Sequence, residues 1–166
     1  MTINTLFGPE EIHNKPKSIR FKVIKPVFET LTIKECITSY LSPGTRYTSP
    51  SQIHETFSFL RHESKEYFLA LHLDGNNRII CIDMVSVGSL NQSVVHPREV
   101  FKSSLLSSAA AMILIHNHPS GDPSPSREDI EITRRLKEAG ELIGVRILDH
   151  VVIGETYLSF TEGGLL

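Results

Sequence analysis

From residue 49 onward, the hydrophobic and polar positions of the chain alternate between a helical and an extended pattern. Ile53, Phe57 and Leu60 recur at helical spacing after the Ser49-Pro50 pair, which is typical of a helix start. The later segments that we predict to be strands are 66–73, 78–87, 109–115, 145–153 and 156–160. The segments that we predict to be helices are 97–108 and 126–140, and Gly140 is the predicted C-cap of the second. Because helices alternate with strands, we predict an α/β fold in which a mixed sheet is flanked by helices on both faces.

The first 48 residues lack this regularity. Pro9, Pro16 and Pro26 argue for extended or irregular chain, although 19–24 alternates like a strand and 32–41 could form a short helix. A chain of 166 residues suits one domain with a sizeable core. We therefore predict a partly irregular N-terminal extension at 1–48 and a folded domain at 49–166.

The apolar strand predicted at 109–115 runs directly into the sequence His116-Asn-His118. Side chains alternate along a strand, so the two imidazoles can point to one side, about 7 Å apart at their Cα atoms. A Gly/Pro/Ser-rich loop then turns the chain, and Ser126 looks like an N-cap with Asp129 in the first helical turn. Two neutral nitrogens and one carboxylate, with a fourth position open, are the ligand pattern of a catalytic zinc site. His116, His118 and Asp129 are therefore the predicted metal ligands.

Other interpretations of the same residues need no metal. A histidine at a strand end is more often a hydrogen-bonded surface or core residue, and Ser126-x-x-Asp129 also fits a capping box. The two functions of Asp129 are compatible, because one carboxylate oxygen could cap the helix while the other binds an ion. Elsewhere, we expect His150 to be a hydrogen-bonded core histidine and Asp122 to be a turn former.

The combined motif His116-x-His118-x7-Ser126-x-x-Asp129 resembles the signature of the JAMM (MPN+, JAB-domain) metalloproteases. The full string from His116 to Asp129 and the segments 88–101 and 148–154 are similar to the RadC branch of that superfamily, so the resemblance covers about residues 50–166. It implies a JAB/MPN fold of cytidine-deaminase-like architecture, a bound Zn2+ ion, and hydrolysis of a peptide or isopeptide bond.

The resemblance also implies a general base on an early strand, and the matching residue in this chain is Glu66. Glu66 opens an otherwise apolar strand, and a partly buried carboxylate near zinc would have a tuned pKa. The alternative is a solvent-facing glutamate at a strand end. Ser126 has two candidate functions that the sequence leaves open, since its hydroxyl could help to hold the oxyanion of the substrate or could only cap the helix.

Composition restricts the setting and the partners. Hydrophobic residues make up 40% and charged residues 22% of the chain, as in an ordinary soluble globular protein, and no apolar run approaches a membrane span. We expect a cytoplasmic protein without membrane contact, in which Cys36 and Cys81 are reduced thiols. A net charge of −2 gives no general attraction for nucleic acid. The Arg134-Arg-Leu-Lys137 cluster is the one candidate contact with phosphate, although such a cluster is usually a solvated helix face.

Together these features favour a zinc-dependent hydrolase that acts on a peptide or protein substrate. Two alternatives are a DNA-repair-associated protein that acts on or near DNA and a non-catalytic JAB scaffold, although the filled ligand and base positions argue against a scaffold. Full-length RadC proteins carry an N-terminal helix-hairpin-helix region, and because 1–48 show no such pattern we expect a short form. A zinc deaminase is set aside, because that chemistry needs His-x-Glu followed by Pro-Cys-x-x-Cys and the chain has neither.

Overall fold

The structure is a computed structural model, which describes residues 27–29, 43–88 and 95–166. Its helices are α1 (Pro50–Phe57), α2 (Pro97–Leu106) and α3 (Arg127–Ile143), and a 3-10 turn at Ser58–His62 extends α1. Its strands are β1 (Glu66–Leu73), β2 (Ile79–Gly88), β3 (Ala111–Asn117), β4 (Arg146–Ile153) and β5 (Tyr157–Ser159). The elements predicted from residue 49 onward are all present, whereas the strand and helix predicted at 19–24 and 32–41 lie outside the described residues.

The five strands form one mixed sheet in the order β2-β1-β3-β4-β5. β1 pairs antiparallel with β2 and β3, β3 runs parallel to β4, and β4 pairs antiparallel with β5. A parallel pair needs a crossover connection, and α3 supplies it. The arrangement confirms the predicted α/β fold, and it makes β3 the central strand, whose end is held by a neighbour on each side.

The alternation of side chains divides the core into two layers. Ile113 and Ile115 of β3 pack in one hydrophobic cluster with Ile53 of α1. Met112 and Leu114 pack in the other cluster, where α2 and α3 contribute Val100, Phe101, Ile132 and Leu136. Helices therefore cover both faces of the sheet, and the even-numbered residues of β3 face α2 and α3.

The end of α3 differs from the prediction. The helix continues through Gly140 and ends at Gly144, whose φ of 83° is the left-handed conformation typical of a C-cap. Gly140 is required by packing instead, because an added Cβ atom would lie 2.4 Å from the carbonyl oxygen of Val145 and 3.3 Å from Cζ of Phe101. The assignment of Gly140 as the C-cap is wrong because a glycine at a close contact and a glycine at a cap look alike in a sequence.

Cys81 lies on β2 as a free thiol, whereas Cys36 lies outside the described residues. The Sγ atom of Cys81 is 3.4 Å from Nδ1 of His72. Burial raises the pKa of the Cys81 thiol, so it stays protonated at neutral pH. Within the described ranges, no helix combines the length and the apolar character needed to cross a bilayer.

Candidate metal centre

His116 and His118 lie at the carboxyl end of the central strand. His116 is fully buried in β3, and its Cα pairs with that of Phe68 on β1. His118 follows the strand, and its backbone N–H donates to the carbonyl oxygen of Ile153 at 2.9 Å, which continues the pairing with β4. Because the extended backbone continues through Asn117, both imidazoles project from one face, with ring centroids 4.8 Å apart.

The third member of the cluster comes from the first turn of α3. The Oγ atom of Ser126, the N-cap, accepts a hydrogen bond from the N–H of Asp129 at 3.1 Å, and Oδ2 of Asp129 accepts from the N–H and the hydroxyl of Ser126, both at 2.7 Å. This capping box holds the carboxylate with Oδ1 3.3 Å from Nε2 of His116 and Oδ2 3.4 Å from Nε2 of His118. Asp129 therefore caps the helix and faces both histidines. The oxyanion function of Ser126 stays a prediction.

The spacing of these three side chains fits a metal ion. Their ligand atoms lie within 4.8 Å of one another, and they form the one such group found among the described residues. The two Nε2 atoms are 2.9 Å apart, and they lie 3.3 Å and 3.4 Å from carboxylate oxygens. Ligands placed tetrahedrally at about 2.0–2.1 Å from zinc would be about 3.3–3.4 Å apart. The distances of 3.3 Å and 3.4 Å, which end on Oδ1 and Oδ2 respectively, thus match the spacing of neighbouring zinc ligands, and the distance of 2.9 Å between the two nitrogens is shorter.

Hydrogen bonds on the far side of each ring decide which nitrogen faces the cluster. Nδ1 of His118 lies 2.8 Å from the backbone carbonyl oxygen of Asp122, and because a carbonyl only accepts, this nitrogen carries the hydrogen. In the neutral ring, Nε2 then presents a lone pair to the cluster. Nδ1 of His116 also has a hydrogen-bond partner outside the cluster, because Nε2 of His150 lies 2.8 Å away. Two imidazole lone pairs and a carboxylate therefore converge, which is unfavourable unless a proton or a metal cation lies between them.

Burial and the carboxylate control where protons bind in this cluster. Burial lowers the pKa of His116, although Asp129 opposes the shift. The pKa of His118 is raised, chiefly by its hydrogen bond with Asp129, with burial opposing. Burial acts to raise the pKa of Asp129, but the two histidines beside the carboxylate outweigh it and hold that pKa well below its usual range. A proton and a metal ion therefore compete for Nε2 of His118.

Glu66 begins β1 on the same sheet face as the two histidines. The antiparallel register pairs Phe68 with His116, so Glu66, two residues earlier, lies across from His118. The side chain is partly buried. Its negative charge acts to raise the pKa of both histidines, behind the larger effects of burial and Asp129. The structure thus brings Glu66 beside the cluster, and its role as the general base stays a prediction.

No sequence pattern identifies Asn117, whose fully buried side chain connects the two strands of the site. Its Oδ1 atom accepts from the N–H of Tyr67 at 2.8 Å, and Nδ2 donates to the carbonyl oxygens of Leu60 at 2.9 Å and Lys65 at 3.1 Å. These bonds hold the backbone on both sides of Glu66. The partners are 50 to 57 residues away along the chain, so no local signal could have found them.

The loop that holds His118 packs tightly against the turn between β4 and β5. The N–H of Glu155 donates to the carbonyl oxygen of Gly121 at 2.8 Å. A Cβ atom added at Gly154 would lie 2.2 Å from that same oxygen, so this approach requires glycine. Asp122 closes the loop with its side chain, as a turn former, while its backbone carbonyl binds the His118 ring. Close packing at Gly154 therefore helps to position a member of the cluster.

Comparison with known sequences places this fold and site in a family. The chain matches the family model for the RadC-like JAB domain over residues 47–165. The chain belongs to this family. The resemblance to RadC proteins is thereby confirmed, and the matched range of the RadC-like JAB domain includes Glu66 and the whole His-His-Asp cluster.

Several bacterial and archaeal relatives resemble this RadC-like JAB domain. It is 59% identical over 123 residues to a UPF0758 protein of Geotalea uraniireducens (strain Rf4) and 63% identical over 123 residues to one of Pelobacter propionicus, and each match covers 73% of this chain and 54% of the relative. It is 49% identical over 126 residues to a UPF0758 protein of Methanosarcina mazei, a match that covers 75% of this chain and 55% of the relative. The chain thus spans about half the length of the curated relatives it matches, and their names state no activity.

The basic cluster of this RadC-like JAB domain lies on α3, away from the capping box. Arg134 donates to Glu131 at 2.8 Å and also forms an ion pair with Glu138. These neighbours neutralise part of the positive charge, as expected for a solvated helix face. Contact between this cluster and nucleic acid stays a prediction.

Proposed function

We propose that this RadC-like JAB domain is a zinc-dependent hydrolase that cleaves a peptide or isopeptide bond. The observation that carries the proposal is the convergence of two imidazole lone pairs and a carboxylate at ligand spacing. His116, His118 and Asp129 would hold the ion, as three protein ligands with one position open. When bound, zinc supplies a Lewis acid that polarises a carbonyl and lowers the pKa of a coordinated water to about 7.

The side chains around the cluster supply the proton transfers and the alignment. Glu66 takes a proton from the attacking water as general base and then delivers it to the leaving nitrogen as general acid. Asn117 holds the backbone on both sides of Glu66, so the carboxylate keeps its place relative to β3. Ser126 holds Asp129 through the capping box, and a second function of its hydroxyl is to donate to the oxyanion of the substrate.

Metal analysis and a peptide library test this proposal with the purified full chain. We expect about one zinc ion per chain and cleavage that is lost on treatment with a chelator. Glu66→Gln should keep the metal and lose cleavage by at least about 100-fold, because an amide cannot accept the proton. Glu63→Gln is the matched control, because the Glu63 carboxylate contacts the Tyr67 hydroxyl, at 3.3 Å, rather than the cluster. It should cleave like the wild type.

Two results would overturn the hydrolase proposal. One is wild-type protein that binds no divalent metal, and the other is equal cleavage by wild type and Glu66→Gln. The DNA-associated alternative predicts salt-sensitive DNA binding that is lost when Arg134 and Arg135 are both replaced by alanine. DNA binding of that kind, without metal-dependent cleavage, would favour the alternative.

A further inference from the structure

A buried chain of hydrogen bonds leads away from the metal cluster and returns to it through α3. Nδ1 of His116 lies 2.8 Å from Nε2 of His150 on β4, and Nδ1 of His150 lies 2.6 Å from Oγ1 of Thr133 on α3. Oγ1 of Thr133 is in turn 2.5 Å from the backbone carbonyl oxygen of Asp129, one helical turn earlier. The chain therefore begins at one candidate ligand and ends at another.

The last bond of this chain determines the direction of all the others. A carbonyl oxygen only accepts, so the Thr133 hydroxyl donates to Asp129 and accepts from Nδ1–H of His150. Neutral His150 then has its lone pair on Nε2 and accepts the hydrogen on Nδ1 of His116. As a result His116 keeps a lone pair on Nε2, the nitrogen that faces the cluster. The other tautomer of His116 would set two nitrogen lone pairs against each other at 2.8 Å.

Burial makes these bonds difficult to replace. His116 and His150 are 0% exposed and Thr133 is 1% exposed. A group that loses its partner here therefore cannot form a hydrogen bond with bulk water instead. The rings of Phe68 and Phe160 lie against His150, with centroid distances of 5.5 Å and 4.8 Å, and hold its plane. His150 is the core histidine that its apolar strand predicts, but both of its nitrogens bond to residues linked directly to the cluster.

We propose that His150 is a positioning residue of the metal centre. It sets the tautomer and ring orientation of His116 and ties β4 to the turn of α3 that carries Asp129. The inference rests on the proposed function for the ion, but the tautomer of His116 can be measured without one. Removal of the outer partner of a metal-binding histidine typically weakens metal binding about 10–100-fold.

Zinc affinity of full-length variants tests this role, with Zn2+ alone as the probe in competition with a chromogenic chelator. His150→Leu removes both hydrogen bonds and should weaken zinc binding about 10–100-fold. His150→Gln keeps one acceptor and one donor and should recover part of the loss. His72→Leu is the matched control, because His72 is also fully buried in the sheet but its ring contacts Ser107 rather than the cluster. It should lower stability and leave the zinc affinity of the folded protein unchanged.

Nitrogen-15 NMR of the histidine rings in metal-free protein tests the tautomer directly. In the wild type, His116 should show a protonated Nδ1 and an unprotonated Nε2, whereas His150→Leu should show a mixture of tautomers. Thr133→Val is a second variant in case His150→Leu does not fold, because it removes the hydroxyl with little change in shape. It should release the tautomer of His150 and weaken zinc binding by a smaller factor, about tenfold or less.

The outcomes separate this inference from the proposed function. Wild-type zinc affinity in His150→Leu, or an unchanged His116 tautomer in both His150→Leu and Thr133→Val, would overturn the positioning role. An equal loss of affinity in His72→Leu would also overturn it, since general loosening of the core would then explain both. A wild-type protein that binds no zinc would instead overturn the proposed function, and the NMR measurement would still decide the role of His150.

Discussion

Replacement of Asn117 with leucine should loosen the strand that begins at Glu66 from the strand that carries the histidines. Leucine branches at Cγ as asparagine does, but its two methyl groups neither accept nor donate a hydrogen bond. Three backbone groups would lose this hydrogen bond: the N–H of Tyr67 and the carbonyl groups of Leu60 and Lys65. The Leu60 carbonyl oxygen would still accept from the N–H of Glu63 at 3.1 Å. The pairing of β1 with β3 begins at Phe68, one residue after Tyr67, so no hydrogen bond between these two strands can replace the lost bonds.

The size of the effect follows from the burial of those three groups. Leu60 is 2% exposed and Tyr67 is half-buried, whereas Lys65 is exposed and its carbonyl can bind water instead. The Tyr67 N–H, left without a partner, costs about 1–3 kcal/mol, and the loss of one of the two hydrogen bonds of the buried Leu60 carbonyl costs about 0.5–1.5 kcal/mol. The extra apolar surface of leucine offsets about 1–2 kcal/mol of the total. We therefore expect the free energy of unfolding to fall by about 0.5–2.5 kcal/mol, with the loss concentrated at the start of β1.

Two measurements on the metal-free protein check this prediction. Urea denaturation followed by circular dichroism gives the free energy of unfolding, and hydrogen exchange reports on the Tyr67 amide, whose protection should fall by at least about tenfold. Asn76→Leu is the control, because Asn76 is an exposed asparagine in the turn between β1 and β2, and it should change stability by less than about 0.5 kcal/mol. An unchanged urea midpoint in Asn117→Leu, together with wild-type protection of the Tyr67 amide, would refute the reasoning.

Two further predictions concern the loop and the proton of the cluster. Gly154→Ala should displace the loop at Gly121, because the added Cβ would lie 2.2 Å from the carbonyl oxygen of Gly121, and should weaken zinc binding about tenfold or more. Gly75→Ala is the control, because a Cβ added there meets nothing within 4 Å, and it should bind zinc like the wild type. The second prediction concerns pH. The hydrogen bond between His118 and Asp129 raises the pKa of His118 above 6.5, and a proton on His118 competes with zinc. Zinc affinity should therefore fall about tenfold per pH unit below that raised pKa and level off above it. Zinc titrations from about pH 6 to about pH 8 check this, and an affinity that is flat across that interval would contradict it.

The members of the cluster could be predicted because their placement depends on local geometry. Alternation along an extended strand puts His116 and His118 on one side, whatever the rest of the fold does. The capping box of Ser126 and Asp129 spans three residues and directs the carboxylate toward the helix start. The prediction that Glu66 is the general base depended mainly on a family resemblance, since a glutamate that opens an apolar strand can equally be a solvent-facing residue.

The support around the cluster could not be predicted, because it comes from residues distant in sequence. His150 is 34 residues from His116 along the chain, and Asn117 is 50 residues from Tyr67. In a one-dimensional pattern, His150 is an ordinary histidine in an apolar strand and Asn117 is the spacer between two histidines. Only the pairing of β3 with β1 and β4 reveals that both side chains hold the site.

The sequence by itself determined the order of helices and strands and the three side chains of the cluster, because periodicity and capping act over a few residues. Tertiary structure alone decided which ring nitrogen of His116 faces the cluster, where α3 ends, and which glycine must remain glycine. Those features depend on contacts between distant segments: the bond from His116 to His150, the packing of Gly140 on Phe101, and the approach of Gly154 to the loop. Such contacts exist only once the sheet has brought the strands together.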